Sequence, residues 1–241
     1  MIRWVYAFID RPRDRVEAAA TFWAAVTDTT LSAPRGADGE FWTFLPKDGE
    51  DACLKLQAVS ESHGGHLDLA TENPRALADD AVALGAARVA DHGAWSVLRS
   101  PGGQLFCVVP WHREYRRPPV VAGTRVDQVT LDLPADGFEA EAEFWTELTG
   151  WTVSKGSRPE FVVVQPPSEL PFRILLHRLS EPRPTEAHLD LACADRWATR
   201  ETHERLGATF VAEHGHWITM RDPAGGIYCL TARNPQTGQL H

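Results

Sequence analysis

Cysteine is scarce: Cys53, Cys107, Cys193 and Cys229 are the only four in 241 residues, and no two form a CxxC pair. That excludes a disulfide scaffold and a zinc ribbon. No apolar run approaches the roughly 18 to 20 residues that a membrane-spanning helix needs. The opening stretch from Met1 through Arg3, Trp4 and Asp10 lacks a signal-peptide pattern, so a cytoplasmic chain with no membrane partner is expected. Positive charge is in the minority, 24 Lys and Arg against 33 Asp and Glu for a net charge of −9, which argues against nucleic acid as a partner. There is no Gly-rich phosphate loop, no G-x-S-x-G turn and no H-E-x-x-H. Nothing suggests nucleophilic catalysis, and no catalytic residue is assigned. Hydrophobic residues at 43% and charged residues at 24% make an ordinary globular mixture that can bury a core. Tryptophan, in contrast, is plentiful. Nine are more than a core of this size requires, and indole offers a flat apolar wall with one polar tip.

An internal repeat sets the organisation. Phe22-Trp23 returns as Phe144-Trp145, His66-Leu67-Asp68-Leu69-Ala70 as His188-Leu189-Asp190-Leu191-Ala192, and Cys107 as Cys229, all at an offset of 122. Between Leu84 and Cys107, twelve of 24 positions recur at that offset. Two copies of one unit are therefore expected, at 1–110 and 124–235, with a linker at 111–123 and a tail at 236–241. The linker arginines Arg113, Arg116 and Arg117 read as solvated.

Each copy divides again. In the second, Val126–Leu133 alternates as a strand, and Ala140, Phe144, Trp145 and Leu148 recur at helical spacing until Gly150. Strand-like runs follow at Glu160–Gln165 and Phe172–Leu179. The pattern restarts with a strand at His188–Cys193, a helix at Arg196–Leu206 and three strands, at Thr209–Glu213, Trp217–Arg221 and Ile227–Ala232. Copy 1 repeats the order, with strands at Arg3–Ile9, Glu40–Leu45, Cys53–Val59 and His66–Ala70 and helices at Asp14–Thr27 and Pro74–Leu84. The fold class is α+β, four βαβββ modules paired into two domains whose curved sheets form cups. A cup can use the two modules of one copy, or the first module of copy 1 can face the last of copy 2. Such cups suit a small molecule.

The run Phe144-Trp145-Thr146-Glu147-Leu148-Thr149-Gly150-Trp151 and the hairpin Asp222-Pro223-Ala224-Gly225-Gly226 before Ile227-Tyr228-Cys229-Leu230 resemble the vicinal oxygen chelate superfamily of glyoxalases, bleomycin-resistance proteins and extradiol dioxygenases. Phe22-Trp23 through Asp28 and Ser100-Pro101-Gly102-Gly103 before Cys107 are the copy 1 versions. His-Leu-Asp-Leu, Gly-x-Trp and the last-strand Cys are similar to the glyoxalase-like subgroup. The resemblance implies ligand positions at Gln128, His177, His188 and Cys229 in copy 2, and at Tyr6, Gln57, His66 and Cys107 in copy 1. Cysteine replaces the last-strand carboxylate in both, and tyrosine is a poor ligand for a divalent ion. No metal or other cofactor is therefore expected; the alternative is a divalent ion on His177, His188 and Cys229.

Several residues keep two readings. Cys107 and Cys229 are either buried packing groups or thiolates. His66 and His188 are wall, hydrogen-bonding or ligand residues, with Asp68 and Asp190 on the same strand face. Trp95 and Trp217 follow a Gly-containing turn where a wall becomes a rim, Trp42 is a further ligand-contact candidate, and Trp23 and Trp145 read as packing. The expected function is metal-free binding of a flat or cationic small molecule, of the antibiotic-sequestering type, by a monomer whose tandem domains mimic a dimer. The alternative is a metal-dependent lyase, isomerase or dioxygenase.

Overall fold

The structure is a computed structural model that describes residues 1–47, 49–60 and 64–240. Module 1 runs β1 (Ile2–Pro12), α1 (Val16–Thr27), β2 (Thr29–Leu31), β3 (Phe41–Pro46) and β4 (Leu54–Val59). Module 2 is β5 (Gly65–Thr71), α2 (Pro74–Ala83), β6 (Ala87–Asp91), β7 (Ser96–Arg99) and β8 (Leu105–Pro110). Module 3 comprises β9 (Thr124–Leu133), α3 (Phe138–Thr149), β10 (Thr152–Lys155), β11 (Phe161–Gln165) and β12 (Arg173–Arg178). Module 4 closes the order with β13 (Glu186–Cys193), α4 (Arg196–Arg205), β14 (Thr209–His214), β15 (Trp217–Arg221) and β16 (Ile227–Thr231). The expected βαβββ order holds four times.

The short strands β2 and β10 were not visible as residue runs. They have three and four residues, and β10 is exposed throughout, so neither carries an apolar alternation. Helix ends follow local chemistry. Asn73 caps α2 by accepting from Ala76 N at 3.1 Å, with Pro74 at the first position, and Asp195 caps α4 through Trp197 N and Ala198 N. Gly150 ends α3 at φ 66°; its counterpart Asp28 takes φ 50° after α1, a conformation short polar side chains tolerate.

Strand hydrogen bonding gives two mixed, open eight-stranded sheets, in the orders β2-β3-β4-β1-β5-β8-β7-β6 and β10-β11-β12-β9-β13-β16-β15-β14. Each sheet takes its modules from one repeat. Packing divides the chain differently, into one compact unit of Met1–Ala7, His66–Tyr115 and Val129–Ala187 and another of Phe8–Gly65, Arg116–Gln128 and His188–His241. By packing, module 2 thus goes with module 3 and module 1 with module 4.

In the first unit, Phe144 and Trp145 of α3 meet Phe106 of β8 with ring centroids 5.8 and 5.2 Å apart. Beneath them the fully buried Glu141 accepts from Ser100 Oγ at 2.5 Å, Gly102 N at 2.6 Å and the Trp145 indole at 2.7 Å. In the second, Phe22 and Trp23 of α1 meet Tyr228 of β16 at 5.7 and 5.3 Å. There Asp222 accepts from Arg11 Nε at 2.9 Å, Arg11 Nη2 at 2.7 Å and the Trp23 indole at 3.1 Å. All four cysteines are free and buried, consistent with the absence of a disulfide framework.

Candidate functional site

Parallel pairing of β13 with β16 sets Asp190 opposite Cys229, and that of β5 with β8 sets Asp68 opposite Cys107. Strand alternation puts the histidine two residues earlier on the same face. The result is His188, Asp190 and Cys229 in one unit and His66, Asp68 and Cys107 in the other, each set with its donor atoms within 4.8 Å of one another.

The two sets are not equal. His188 Nε2 lies 3.3 Å from Asp190 Oδ1 and 3.6 Å from Cys229 Sγ. A tetrahedral ion with metal–nitrogen bonds of about 2.0–2.1 Å and a metal–sulfur bond of about 2.3 Å separates its donors by about 3.3–3.6 Å, so this set fits. In the first set His66 Nε2 and Asp68 Oδ1 are 3.8 Å apart. A buried amide also supports Asp190. Gln128 Nε2 donates to Asp190 Oδ2, and Arg233 fixes the Gln128 carbonyl at 2.9 Å while also pairing with Asp127. Tyr6 stands at the position of Gln128 in the other copy, and its hydroxyl donates to Glu114 instead. Burial raises the Cys229 thiol, partly offset by the charge and hydrogen bond of His188.

Asp190 and Cys229 address the same imidazole nitrogen. A nucleophilic triad needs its carboxylate on the other ring nitrogen, so this is a convergence of ligands rather than a relay. The expectation of no cofactor is corrected here: two sets of mixed nitrogen, oxygen and sulfur donors favour the divalent-ion alternative. The expected ligand trio is corrected as well. His177 is not in the cluster; its Nδ1 lies 2.7 Å from Asp132, which also pairs with Arg183, and Asp190 takes its place.

Other candidates separate by face. Thr219 pairs with Cys229 across β15 and β16, its hydroxyl 3.8 Å from the sulfur, so Trp217, two residues earlier, shares that face. His214 stacks on Trp217 at 4.6 Å, and His92 on Trp95 at 4.0 Å. Gln57 pairs with Phe41, but Trp42 pairs with the fully buried Leu56 on the opposite face of β3 and β4. Trp42 and Gln57 therefore lie on opposite faces of the sheet. Gln104, Glu141, Arg11 and Asp222 were missed as buried polar residues; Asp222 alone carried a signal, as the first residue of the hairpin motif.

The Glyoxalase-like domain family matches residues 7–109 and 128–231. This chain belongs to that family. Solved structures share its fold at low identity. A triple mutant of 4-hydroxymandelate synthase from Streptomyces coelicolor has a TM-score of 0.60 at 15% identity, over 94% of this chain and 91% of that one. For 2,2',3-trihydroxybiphenyl 1,2-dioxygenase from Sphingomonas wittichii RW1 the values are 0.64 and 14%, over 96% and 90%. An extradiol ring-cleaving dioxygenase from B. fuscum gives 0.65 and 13%, over 97% and 72%. No curated protein matches significantly. Among the described residues of this glyoxalase-like protein, no helix is long and apolar enough to cross a membrane.

Proposed function

We propose that this glyoxalase-like protein is a divalent-metal enzyme of the lyase or isomerase type, acting on a small molecule with adjacent oxygen atoms. The observation that carries it is the meeting of His188 Nε2, Asp190 Oδ1 and Cys229 Sγ at separations matching one ion's coordination sphere. A bound ion would supply Lewis acidity toward the substrate's oxygens. One imidazole, one carboxylate and one sulfur suit a zinc-class ion; oxygen-activating iron typically sits on two histidines and a carboxylate. That donor set supports lyase or isomerase chemistry over a dioxygenase, despite the dioxygenase names among the structural neighbours.

The chain's own residues set the geometry. Gln128, itself held by Arg233, orients Asp190, while Thr219 lies against the Cys229 sulfur. Trp217, backed by His214, offers a flat wall on the same face for an apolar or aromatic substrate body.

Metal analysis of the purified protein tests the reading. We expect about one zinc-class ion per chain, lost in His188→Ala and Cys229→Ala and retained in His66→Ala. Cobalt-substituted protein should show a sulfur-to-metal charge-transfer band that Cys229→Ser removes. Metal-loaded protein should turn over members of a hemithioacetal panel and leave catechols untouched. Failure to bind any divalent ion after reconstitution overturns the proposal, and catechol cleavage with oxygen uptake replaces it by the dioxygenase alternative.

A further inference from the structure

A concave site lies in the unit built from Phe8–Gly65, Arg116–Gln128 and His188–His241. It is a cleft with about 60 Å³ of free space, between the end of α1, the β2–β3 hairpin, the start of β4 and the connector Pro118–Val126. By that measure one water needs about 10–15 Å³, so the cleft holds roughly four to six heavy atoms. Leu191 forms part of its wall, and Leu191 points to the face of β13 opposite Asp190. The cleft is therefore separate from the His188 cluster. Val26, Phe44, Leu54 and Val126 make the lining largely apolar.

Four charged residues interrupt that lining; Lys47 and Asp28 pair with each other, which leaves Arg125 and Glu50. Arg125 is half-buried, and although its Nη2 donates to Gln236 O at 3.0 Å, its buried Nε makes no hydrogen bond. Burial and the charge of Arg117 lower the Arg125 pKa, opposed by Asp127, but Asp127 is already paired with Arg233. The neighbouring Cys53 supplies no counter-charge, because burial pushes its thiol up to about 12. Glu50 presents the reverse: its Oε2 is buried at the same cleft and accepts no hydrogen bond. Buried polar atoms normally have partners, and one orphaned donor and one orphaned acceptor on residues lining one largely apolar cleft are a pattern for a ligand carrying both signs.

We infer that this cleft binds a small zwitterion of the α-amino-acid type with a short apolar side chain, its carboxylate on Arg125 and its ammonium on Glu50. A carboxylate on a guanidinium forms a charge-assisted hydrogen bond, and five heavy atoms of an amino-acid head fit the free space. The inference stands independently of the metal centre.

Calorimetric titration of the 241-residue chain with L-alanine, which matches the free space of the cleft, tests it, using propionate as the probe without the ammonium and ethylamine as the probe without the carboxylate. Saturable one-to-one binding of L-alanine is expected, at least tenfold tighter than either analogue. Arg125→Gln and Glu50→Gln should each weaken binding at least tenfold. Val121→Trp, which fills the cleft from the connector without altering either charge, should abolish it with an unchanged thermal unfolding profile. No saturable alanine binding, propionate binding as tightly as alanine, or full binding in Val121→Trp overturns the inference.

Discussion

The indole of Trp145 donates to Glu141 at 2.7 Å, and at the equivalent place in the other unit Trp23 donates to Asp222 at 3.1 Å. The same buried task is done by a helix residue in one case and a hairpin residue in the other. At the offset of 122, Glu141 corresponds to Ala19 and Asp222 to Ser100, so the carboxylate has moved from one element to the other. Neighbours have changed with it. Gly102 leaves room for Glu141, whose Oε2 would lie 2.8 Å from an added Cβ, while its counterpart is Ala224. Gly226 leaves room for Arg11; its counterpart is Gln104, where Leu133 replaces the arginine.

That substitution pattern predicts a steep cost at Gly226. A Cβ there would lie 1.9 Å from the Arg11 guanidinium carbon, forcing the arginine off Asp222 and leaving a buried carboxylate without its ion pair. Gly226→Ala should destabilise by about 3–5 kcal/mol, the usual cost of breaking a buried pair. Arg11→Ala should cost a similar amount, and the double variant far less than the sum, because both remove one interaction. Urea unfolding of the three variants checks this; additive losses would refute it.

Glu141 predicts an unusual pH response. Burial raises its pKa, against the lowering effect of its bonds from Ser100, Gly102 and Trp145. The folded state then holds this proton more tightly than the unfolded state does. Its contribution to stability is fully present below the ordinary carboxylate range and is lost as pH rises through the raised folded value. Other carboxylates act oppositely, so the informative quantity is the stability of wild type minus that of Glu141→Gln. It should fall as pH rises from about 4.3 and then level off. Equal pH slopes for the two proteins would show that Glu141 does not titrate as stated.

The repeat and its strand-helix punctuation made the fold legible, because alternation and turn glycines report on local structure. The His-Leu-Asp-Leu strands also exposed half of the candidate site. What stayed hidden depends on register: only the parallel pairing of Asp190 with Cys229 shows that the aspartate, read as a neighbour of His188, completes the donor set. His177 looked equally suitable by type but pairs with Asp132. Arg117 read as solvated, yet it is half-buried and its charge acts on Cys53, a placement that composition could not reveal. Residues whose partners lie over 100 positions away, such as Arg11 with Asp222, leave no local signal.

Gln128 is expected to control the proposed metal centre through Asp190, without being a ligand itself. Its amide holds Asp190 and its carbonyl is held by Arg233, both buried. Partners of metal ligands typically contribute 10–100-fold to affinity. Gln128→Leu should therefore weaken competitive zinc binding by about 10–100-fold while leaving the circular dichroism spectrum intact. The matching Tyr6→Phe should leave it unchanged, since Tyr6 bonds Glu114. An unaltered affinity in Gln128→Leu would remove Gln128 from this role.

His203 supplies a response opposite in sign to that of Glu141. It is buried on α4 with Nδ1 2.9 Å from the Tyr228 hydroxyl and its ring edge-on to Phe22 at 5.5 Å. Burial lowers its pKa from 6.5 to about 4, so the folded state keeps it neutral where the unfolded chain would protonate it. The unfolded state binds more protons between those values, and stability must fall as pH drops through that window. At about 1.4 kcal/mol per pH unit the full loss is roughly 3 kcal/mol. His203→Gln cannot titrate, so its stability should vary less between pH 6.5 and 4 than that of wild type, by about that amount. Denaturant unfolding across the window measures the difference, and a wild-type protein that loses no more than the variant would place the His203 proton equilibrium outside the folding reaction.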